Sequence, residues 1–291
     1  MSSLHETLAV VFDFDDTLLP DSTTQLLRRH NIDPKKFWTK DVRALIRSGF
    51  DPSLAWLKLL IDNVGHDKPL GALTKKSLRE FGGTLDAGFY QGIPELFDDL
   101  RALVKKSKVG EIEFYIVSGG LQDIVEGSKI VRKYFSGIYA CDLGEDDSTG
   151  LVRHVKRCVT FTEKTKYLFE INKGIEPKKA RQNPYLVNKN VEISKRRIHF
   201  KNMFYVGDGL TDIPCFSLLK KLSGTAFGVF DPAQSKSARR ALAEFLKPDR
   251  VISVHAPRYG RNDELGSLLR AAVGARCAQL KVAAKQAEQS L

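Results

Sequence analysis

Seven short apolar stretches along the chain predict buried β-strands. The first, LAVVF at 8–12, is apolar at every position, as a strand covered on both faces requires. Between these stretches, apolar residues recur at helical spacing, as in LQDIVEGSKIVRKYF, which predicts one helix over 121–135. The predicted strands are 8–12, 138–143, 151–161, 225–230 and 250–256, together with two that each end in a turn, within 112–120 and 203–209.

The alternation of strands and helices predicts an α/β fold, a three-layer Rossmann-like sandwich around a mostly parallel sheet. Residues 20–91 depart from it, because their apolar residues keep helical spacing between Gly and Pro breaks. We expect an inserted helical cap domain there, with Trp38 and Trp56 in its core. The predicted units are a core of 1–19 and 92–256, the cap at 20–91, a polar, basic insertion within the core at 172–200, and a C-terminal helical tail at 257–291.

Charge adds a basic segment to this picture. The chain carries a net charge of +11, and residues 170–201 hold nine Lys and Arg against three Glu. Such a segment attracts an anionic substrate, a nucleic acid or another acidic partner. A solvated basic loop is the simpler interpretation. Few aromatic residues, Tyr185 and Phe200, lie among these charges, which disfavours nucleic acid but leaves it as an alternative.

Cysteine and hydropathy patterns indicate the compartment. The four cysteines form no CxxC pair and no disulfide-rich spacing, which predicts free thiols in a reducing cytoplasm. No apolar run approaches the roughly 20 residues of a membrane helix, and the start MSSLHETLAV lacks the regions of a signal peptide. We therefore expect a cytoplasmic protein without a membrane partner.

Acidic residues follow two of the predicted strands. Asp13, Asp15 and Asp16 come after the first strand, and Asp208 and Asp212 lie in GDGLTD after MFYV. In parallel sheets ligands bind beyond the carboxyl ends of the strands, so we expect these acids to meet there. Their repulsion calls for a hard divalent cation, and Mg²⁺ suits carboxylates together with phosphate oxygens. An aspartate beside a metal can act as a nucleophile and form an aspartyl-phosphate.

Two further features suit phosphate. The turn Ser118-Gly119-Gly120 precedes a predicted helix, whose first N–H groups can bind phosphate oxygens. A lysine such as Lys164 could offset the charge of the nucleophile and the phosphate.

Taken together, the motifs resemble the four ordered motifs of the haloacid dehalogenase superfamily of phosphatases. DFDDT resembles the first motif, DxDxT, and VSGG resembles the second. Lys164 lies where a third-motif lysine opens a helix, and GDGLTD resembles the acidic fourth motif. The helical insertion between the first two motifs is similar to the cap of the subclass that contains phosphoserine phosphatase and phosphocholine-type phosphatases.

The resemblance implies catalytic and metal-binding roles for four aspartates. Asp13 would be the nucleophile and a metal ligand. Asp15 would be the general acid and base, and would bind the metal through its backbone carbonyl. Asp208 would bind Mg²⁺, and Asp212 would support that site or bind the metal through water.

It also implies phosphate-binding roles. Ser118 and the Gly119 N–H would hold the phosphate, and Thr17 would help to position Asp15 beside it. Lys164 would bridge the nucleophile and the phosphate, with Lys166 as a competing choice less consistent with the motif.

The resemblance leaves the substrate open. Phosphoserine phosphatases carry a glutamate shortly after the first motif, whereas this chain reads LLPDSTTQ, with Ser22 near that place and Asp21 as a weak substitute. The expected function is Mg²⁺-dependent hydrolysis of a small phosphorylated metabolite through an aspartyl-phosphate. The alternatives are a phosphotransferase of the same fold and a protein that binds an acidic partner through 170–201. The sequence predicts no oligomeric state.

Overall fold

Seven strands form one sheet in the computed structural model, which describes residues 6–289. They are β1 Glu6–Phe12, β2 Gly110–Leu121, β3 Gly137–Glu145, β4 Val152–Arg157, β5 Met203–Gly207, β6 Thr225–Val229 and β7 Ser253–His255. Their order is β4-β3-β2-β1-β5-β6-β7. β4 runs antiparallel to β3, and the other neighbours are parallel. The α/β prediction with a mostly parallel sheet is thereby confirmed.

Helices cover both faces of the sheet. The α-helices are α1 Ser22–Arg29, α2 Pro34–Lys36, α3 Arg43–Arg47, α4 Pro52–Asp62, α5 Lys75–Thr84, α6 Glu95–Ser107, α7 Gln122–Gly127, α8 Lys129–Tyr134, α9 Phe161–Lys173, α10 Pro177–Gln182, α11 Ile213–Lys221, α12 Ser235–Arg240 and α13 Glu264–Gln289. α6 packs on β2 and against α13, whereas α11 packs on β5 and β6 and against α9. Within the described residues, no helix is both long and apolar enough to span a bilayer.

β1 lies at the centre of the sheet because its side chains are apolar on both faces. Its residues from Thr7 to Phe12 are buried, and Phe12 packs edge-on against Phe97 of α6 and against Tyr259. Phe12 is paired with Ile116 of β2 on one side and with Val206 of β5 on the other. The carboxyl ends of these three strands therefore meet at one edge.

The expected single helix over 121–135 is two helices, α7 and α8. Ser128 separates them in an extended conformation: its hydroxyl accepts a hydrogen bond from the Val131 N–H at 3.1 Å and donates one to Asp86 at 2.5 Å. α5 crosses α7 so closely that a Cβ on Gly127 would lie 2.1 Å from the Arg79 carbonyl oxygen. The sequence pattern missed this break because both helices keep the same apolar spacing.

The segment 20–91 contains helices α1 to α5 and no strand. Its apolar side chains join the apolar core of the rest of the protein. α5 is tied to the core by Lys75, which pairs with Asp142 at 2.8 Å, and by Arg79, which pairs with Asp123 at 2.7 Å. Of the predicted core and tail, residues 1–5 and 290–291 lie outside the described residues.

The basic segment 170–201 consists of short helices joined by loops. Several of its cations bind within the protein: Lys173 donates to the Val187 and Lys189 carbonyl oxygens at 2.6 and 2.8 Å, and Arg197 pairs with Glu111 and Glu113. These contacts reduce the positive charge that the segment offers to a partner.

Candidate active site

Four of the predicted site residues meet beyond the ends of β1 and β5. Asp13 follows β1, Asp208 and Asp212 follow β5, and Lys164 reaches the same point from α9. The Lys164 Nζ lies 2.7 Å from Asp13 Oδ2 and 2.7 Å from Asp212 Oδ1. Lys164 and Asp212 are fully buried, and Asp13 is 6% exposed. The Lys164 ammonium thus neutralises part of a carboxylate cluster that would otherwise repel itself.

Asp212 is held by donors on three sides. Its Oδ1 accepts hydrogen bonds from Lys164 and from the Tyr205 hydroxyl, at 2.7 Å each, and its Oδ2 accepts one from the Gly209 N–H at 2.9 Å. Burial still outweighs these donors and raises the pKa of Asp212. With both oxygens engaged, Asp212 orients Lys164 and the loop that carries Asp208.

The Asp15 side chain is directed by two backbone segments. Its Oδ1 accepts a hydrogen bond from the Ser22 N–H at 2.7 Å, and its Oδ2 lies where a Cβ on Gly120 would approach to 2.4 Å. Burial, with repulsion from Asp21 and Asp13, raises the pKa of Asp15 well above its usual range. A carboxyl group with a raised pKa stays protonated closer to neutral pH, as a general acid must.

Asp208 lies beside the other acids of the cluster. Burial and repulsion from Asp13 and Asp212 raise the pKa of Asp208 well above its usual range. Arg240, from α12, donates a hydrogen bond to the Asp208 carbonyl oxygen at 3.2 Å and lies 3.6 Å from Asp208 Oδ2. The excess of carboxylates makes the ionised form costly without a further cation.

Ser118 and Gly119 lie at the end of β2, beside the acids. The pairing of β2 with β3 shifts register between Val117 and Leu121, so residues 118–120 leave the regular ladder. The Ser118 hydroxyl accepts a hydrogen bond from the Gly120 N–H at 3.0 Å. The Thr17 side chain is fully buried, and its hydroxyl has no hydrogen-bond partner within residues 6–289.

A cavity of about 570 Å³ lies above this cluster. The predicted site residues Asp13, Asp15, Ser118, Gly119 and Asp208 line its floor. Its walls come from the helical segment 20–91 and include Trp38, Arg43 and Trp56. The cavity thus joins reactive acids to a partly aromatic wall that can contact the rest of a substrate.

The donor set suits a hard divalent cation. Asp13, Asp208 and Asp212 each offer one carboxylate oxygen, and these three atoms lie within 4.8 Å of one another. Mg²⁺ prefers oxygen ligands of this kind and binds few protein carboxylates, leaving room for water and phosphate oxygens. The residues present therefore fit a magnesium ion.

Sequence reasoning missed the support that three residues give to the site. Tyr205 and Arg240 contact Asp212 and Asp208, and the Tyr259 hydroxyl donates to the Thr17 carbonyl oxygen at 2.7 Å. The sequence gives a weak indication of the role of Tyr205, because it is the polar member of the strand that leads into GDGLTD. Arg240 and Tyr259 lie far along the chain, and no local pattern connects them to the acids.

Sequence comparison identifies a bacterial relative of the chain. No protein-family model matches the chain. An uncharacterized protein of Borreliella burgdorferi is 30% identical, over 76% of this chain and 81% of that protein. The chain belongs to the same family as this Borreliella protein.

A solved structure identifies the fold. The structure of a HAD (haloacid dehalogenase) family hydrolase from Salmonella enterica serovar Typhi superposes with a TM-score of 0.51 at 16% identity. The match covers 80% of this chain and 66% of that one, just under two thirds of its length. The chain has the haloacid dehalogenase fold. The resemblance seen in the four motifs is thereby confirmed at the level of the fold.

Proposed function

We propose that this HAD-fold protein is a Mg²⁺-dependent phosphomonoester hydrolase that acts through an aspartyl-phosphate on a small phosphorylated metabolite. One observation carries the proposal: Asp13 and Asp208, at the ends of adjacent parallel strands, line a cavity together with Asp15 and Ser118, and the buried Lys164 ammonium bonds Asp13 from beneath. The Salmonella protein that shares the fold is a HAD family hydrolase, which supports the same class of reaction.

In the proposed first step the Asp13 carboxylate attacks phosphorus in line with the leaving alkoxide. Lys164 would stabilise the negative charge that develops in this step, since its ammonium bonds Asp13 Oδ2. The bond to the leaving oxygen breaks as the Asp13–phosphorus bond forms. Mg²⁺, bound by Asp13, Asp208 and the Asp15 carbonyl, would neutralise the charge on the phosphoryl oxygens.

Asp15 supplies and recovers the proton. Its raised pKa lets the carboxyl donate a proton to the departing oxygen, and the resulting carboxylate then removes one from the water that hydrolyses the aspartyl-phosphate. The Ser22 N–H holds this carboxyl in place during both steps. The Ser118 hydroxyl and the Gly119 backbone N–H would hold the phosphate, with Thr17 supporting the Asp15 loop.

The cavity wall supports a small organic substrate. Trp38 and Trp56 form an apolar surface, with ring centroids 6.2 Å apart, and Arg43 adds a positive charge. A wall of this kind excludes water and contacts the ester group next to the phosphate. The four free cysteines support the proposal that the enzyme works in a reducing cytoplasm.

The test is phosphate release from a panel of phosphomonoesters, with Mg²⁺ and with a chelator. The panel contains phosphoserine, phosphocholine, sugar phosphates and nucleotides. We expect Mg²⁺-dependent release that Asp13→Asn abolishes, because an amide is not a competent nucleophile. Asp67→Asn is the matched control, since Asp67 is exposed and does not line the cavity.

Phosphate release by Asp13→Asn at the wild-type rate would contradict the assignment of Asp13 as the nucleophile. Added alcohols separate hydrolysis from transfer, because a phosphotransferase would convert them to phosphate esters. If no ester is cleaved, ¹⁹F NMR of the phosphate analogue BeF₃⁻ tests whether the site binds a phosphoryl group. Binding that requires Asp13 would support phosphoryl chemistry on an untested substrate. Absence of binding by the folded protein would overturn the proposed chemistry.

A further inference from the structure

A second cavity, of about 460 Å³, lies away from the acidic cluster. β3, β4, α9 and α10 enclose it, and it shares no lining residue with the cavity above Asp13. Its size is in the range that small organic ligands occupy in proteins. Its walls combine three acids, four cations and two tyrosine rings, which is the composition of a polar binding site rather than of a packing defect.

Glu170 in the wall of this cavity lacks a hydrogen-bond donor. The residue is fully buried, and neither of its carboxylate oxygens has a hydrogen-bond partner within the described part of the chain. The nearest ion-pair partner is the Lys166 Nζ, at 3.6 Å from Oε1. Burying a carboxylate that accepts no hydrogen bond is costly. A bound donor in the cavity would remove this cost.

Cations stand elsewhere in the same wall. Lys156 and Arg181 are both exposed; Arg181 has one distant ion pair, to Glu126 at 3.9 Å. Arg157 is also present, although it already donates to the Ala140 carbonyl oxygen at 2.9 Å and to Gln122. Lys156 and Arg181 thus offer positive charge to an anionic group of a ligand. Glu170 offers negative charge to a cationic group of the same ligand.

The wall of the cavity also has an apolar part. Tyr139 and Tyr167 stack with ring centroids 4.6 Å apart, and Pro177 and Pro184 complete the wall. The cavity therefore has the three features of a site for a compact zwitterion: a carboxylate for an ammonium, cations for a carboxylate, and an apolar surface for a side chain.

We propose that this second cavity is a binding site for a free α-amino acid with an apolar or aromatic side chain. The ammonium donates to Glu170, the carboxylate binds Lys156 and Arg181, and the side chain lies on the tyrosine pair. The site does not depend on the proposed phosphatase activity, because none of these residues contacts the acidic cluster.

The site shares α9 with that cluster. Glu163, Lys166, Tyr167 and Glu170 lie on the face of α9 toward the second cavity, whereas Lys164 reaches Asp13 from another face of the same helix. An amino acid bound in the second cavity would therefore contact the same helix that positions the Lys164 ammonium.

The test is isothermal titration calorimetry of the full chain with each of the twenty common amino acids, without phosphate. We expect at least one apolar or aromatic amino acid to bind, and Glu170→Gln to weaken it by about tenfold or more, because a charge-assisted hydrogen bond is lost. Arg181→Ala, at the exposed rim, should weaken binding several-fold without affecting folding. Asp13→Asn should leave it unchanged.

Two results would overturn the proposal. One is that no amino acid binds to the folded wild-type chain. The other is binding that Glu170→Gln and Arg181→Ala both leave intact, and loss of that binding in Asp13→Asn would assign the amino acid to the cavity above Asp13. Circular dichroism of each variant establishes that the comparison is between folded proteins.

Discussion

At the scale of single residues, the buried Lys164 ammonium is central to the stability of the site. It bonds two carboxylates, and its pKa is raised by Asp13 and Asp212 despite the burial that opposes this. Removing the lysine leaves Asp13 and Asp212 buried without their cation, which is far more costly than losing a surface ion pair.

We expect Lys164→Gln to lower the free energy of unfolding by about 3–5 kcal/mol. Urea denaturation of the metal-free protein measures it. Lys178→Gln serves as the control, since Lys178 is exposed and should change stability by less than about 0.5 kcal/mol. Equal urea midpoints for the two variants would show that the bonds from Lys164 to Asp13 and Asp212 do not stabilise the protein.

Gly120 sets the position of the Asp15 carboxyl. A Cβ at Gly120 would lie 2.4 Å from Asp15 Oδ2, while the Ser22 N–H holds the other oxygen. We expect Gly120→Ala to displace the carboxyl and to lower kcat by about tenfold or more, because small displacements of a catalytic group are costly. Gly88→Ala, with no atom within 4 Å of the added carbon, should retain full activity. A wild-type kcat in Gly120→Ala would show that the Asp15 carboxyl can move away from the added carbon without loss of activity.

At the scale of elements, the crossing of α5 and α7 attaches the helical segment to the core. A Cβ on Gly82 would lie 1.9 Å from the Ile124 carbonyl oxygen, whereas the nearest atom to one on Gly83 is 3.4 Å away. Two neighbouring glycines of one helix thus differ in the space beside them.

We expect Gly82→Ala to destabilise the protein by about 1–3 kcal/mol, because the helices must separate. Gly83→Ala should be neutral or stabilising by up to about 1 kcal/mol, since alanine favours the helix. Thermal unfolding of both variants measures the difference. A Gly82→Ala protein as stable as Gly83→Ala would mean that the crossing relaxes freely.

The elements differ in how well the sequence predicts them. Buried strands such as β1 and β5 are continuous apolar runs, so their positions and the acids that follow them could be read locally. The break at Ser128 and the antiparallel pairing of β4 depend on contacts with distant segments, such as the Asp86 carboxylate. The contact of Arg240 with Asp208 and the cavity at Glu170 could not be predicted from the sequence for the same reason.

At the scale of the whole molecule, the acidic cluster links stability to pH and to metal. Asp15 and Asp208 have raised pKa values in the folded protein, so the folded state holds more protons than the unfolded chain. Their contribution to stability is present below the ordinary aspartate pKa of about 3.9 and is lost as pH rises through the raised values. Bound Mg²⁺ would favour the ionised carboxylates and offset this loss.

We therefore expect the rise in Tm on adding Mg²⁺ to be larger at about pH 8 than at about pH 5. Differential scanning fluorimetry with Mg²⁺ and with chelator measures the rise at each pH. Asp208→Asn should reduce it at both. A rise that does not depend on pH, or one that Asp208→Asn leaves intact, would place the bound ion elsewhere.

The central position of β1 has a consequence for synthesis on the ribosome. β1 is made before β5, one of its two neighbours, at 203–207, and the Tyr259 hydroxyl that secures the Thr17 carbonyl is 242 residues away. At about 5–20 residues per second, the nascent chain exposes one edge of this apolar strand for on the order of ten seconds or more. Chaperones that shield unpaired strands would therefore act on this protein before its reactive acids ever meet.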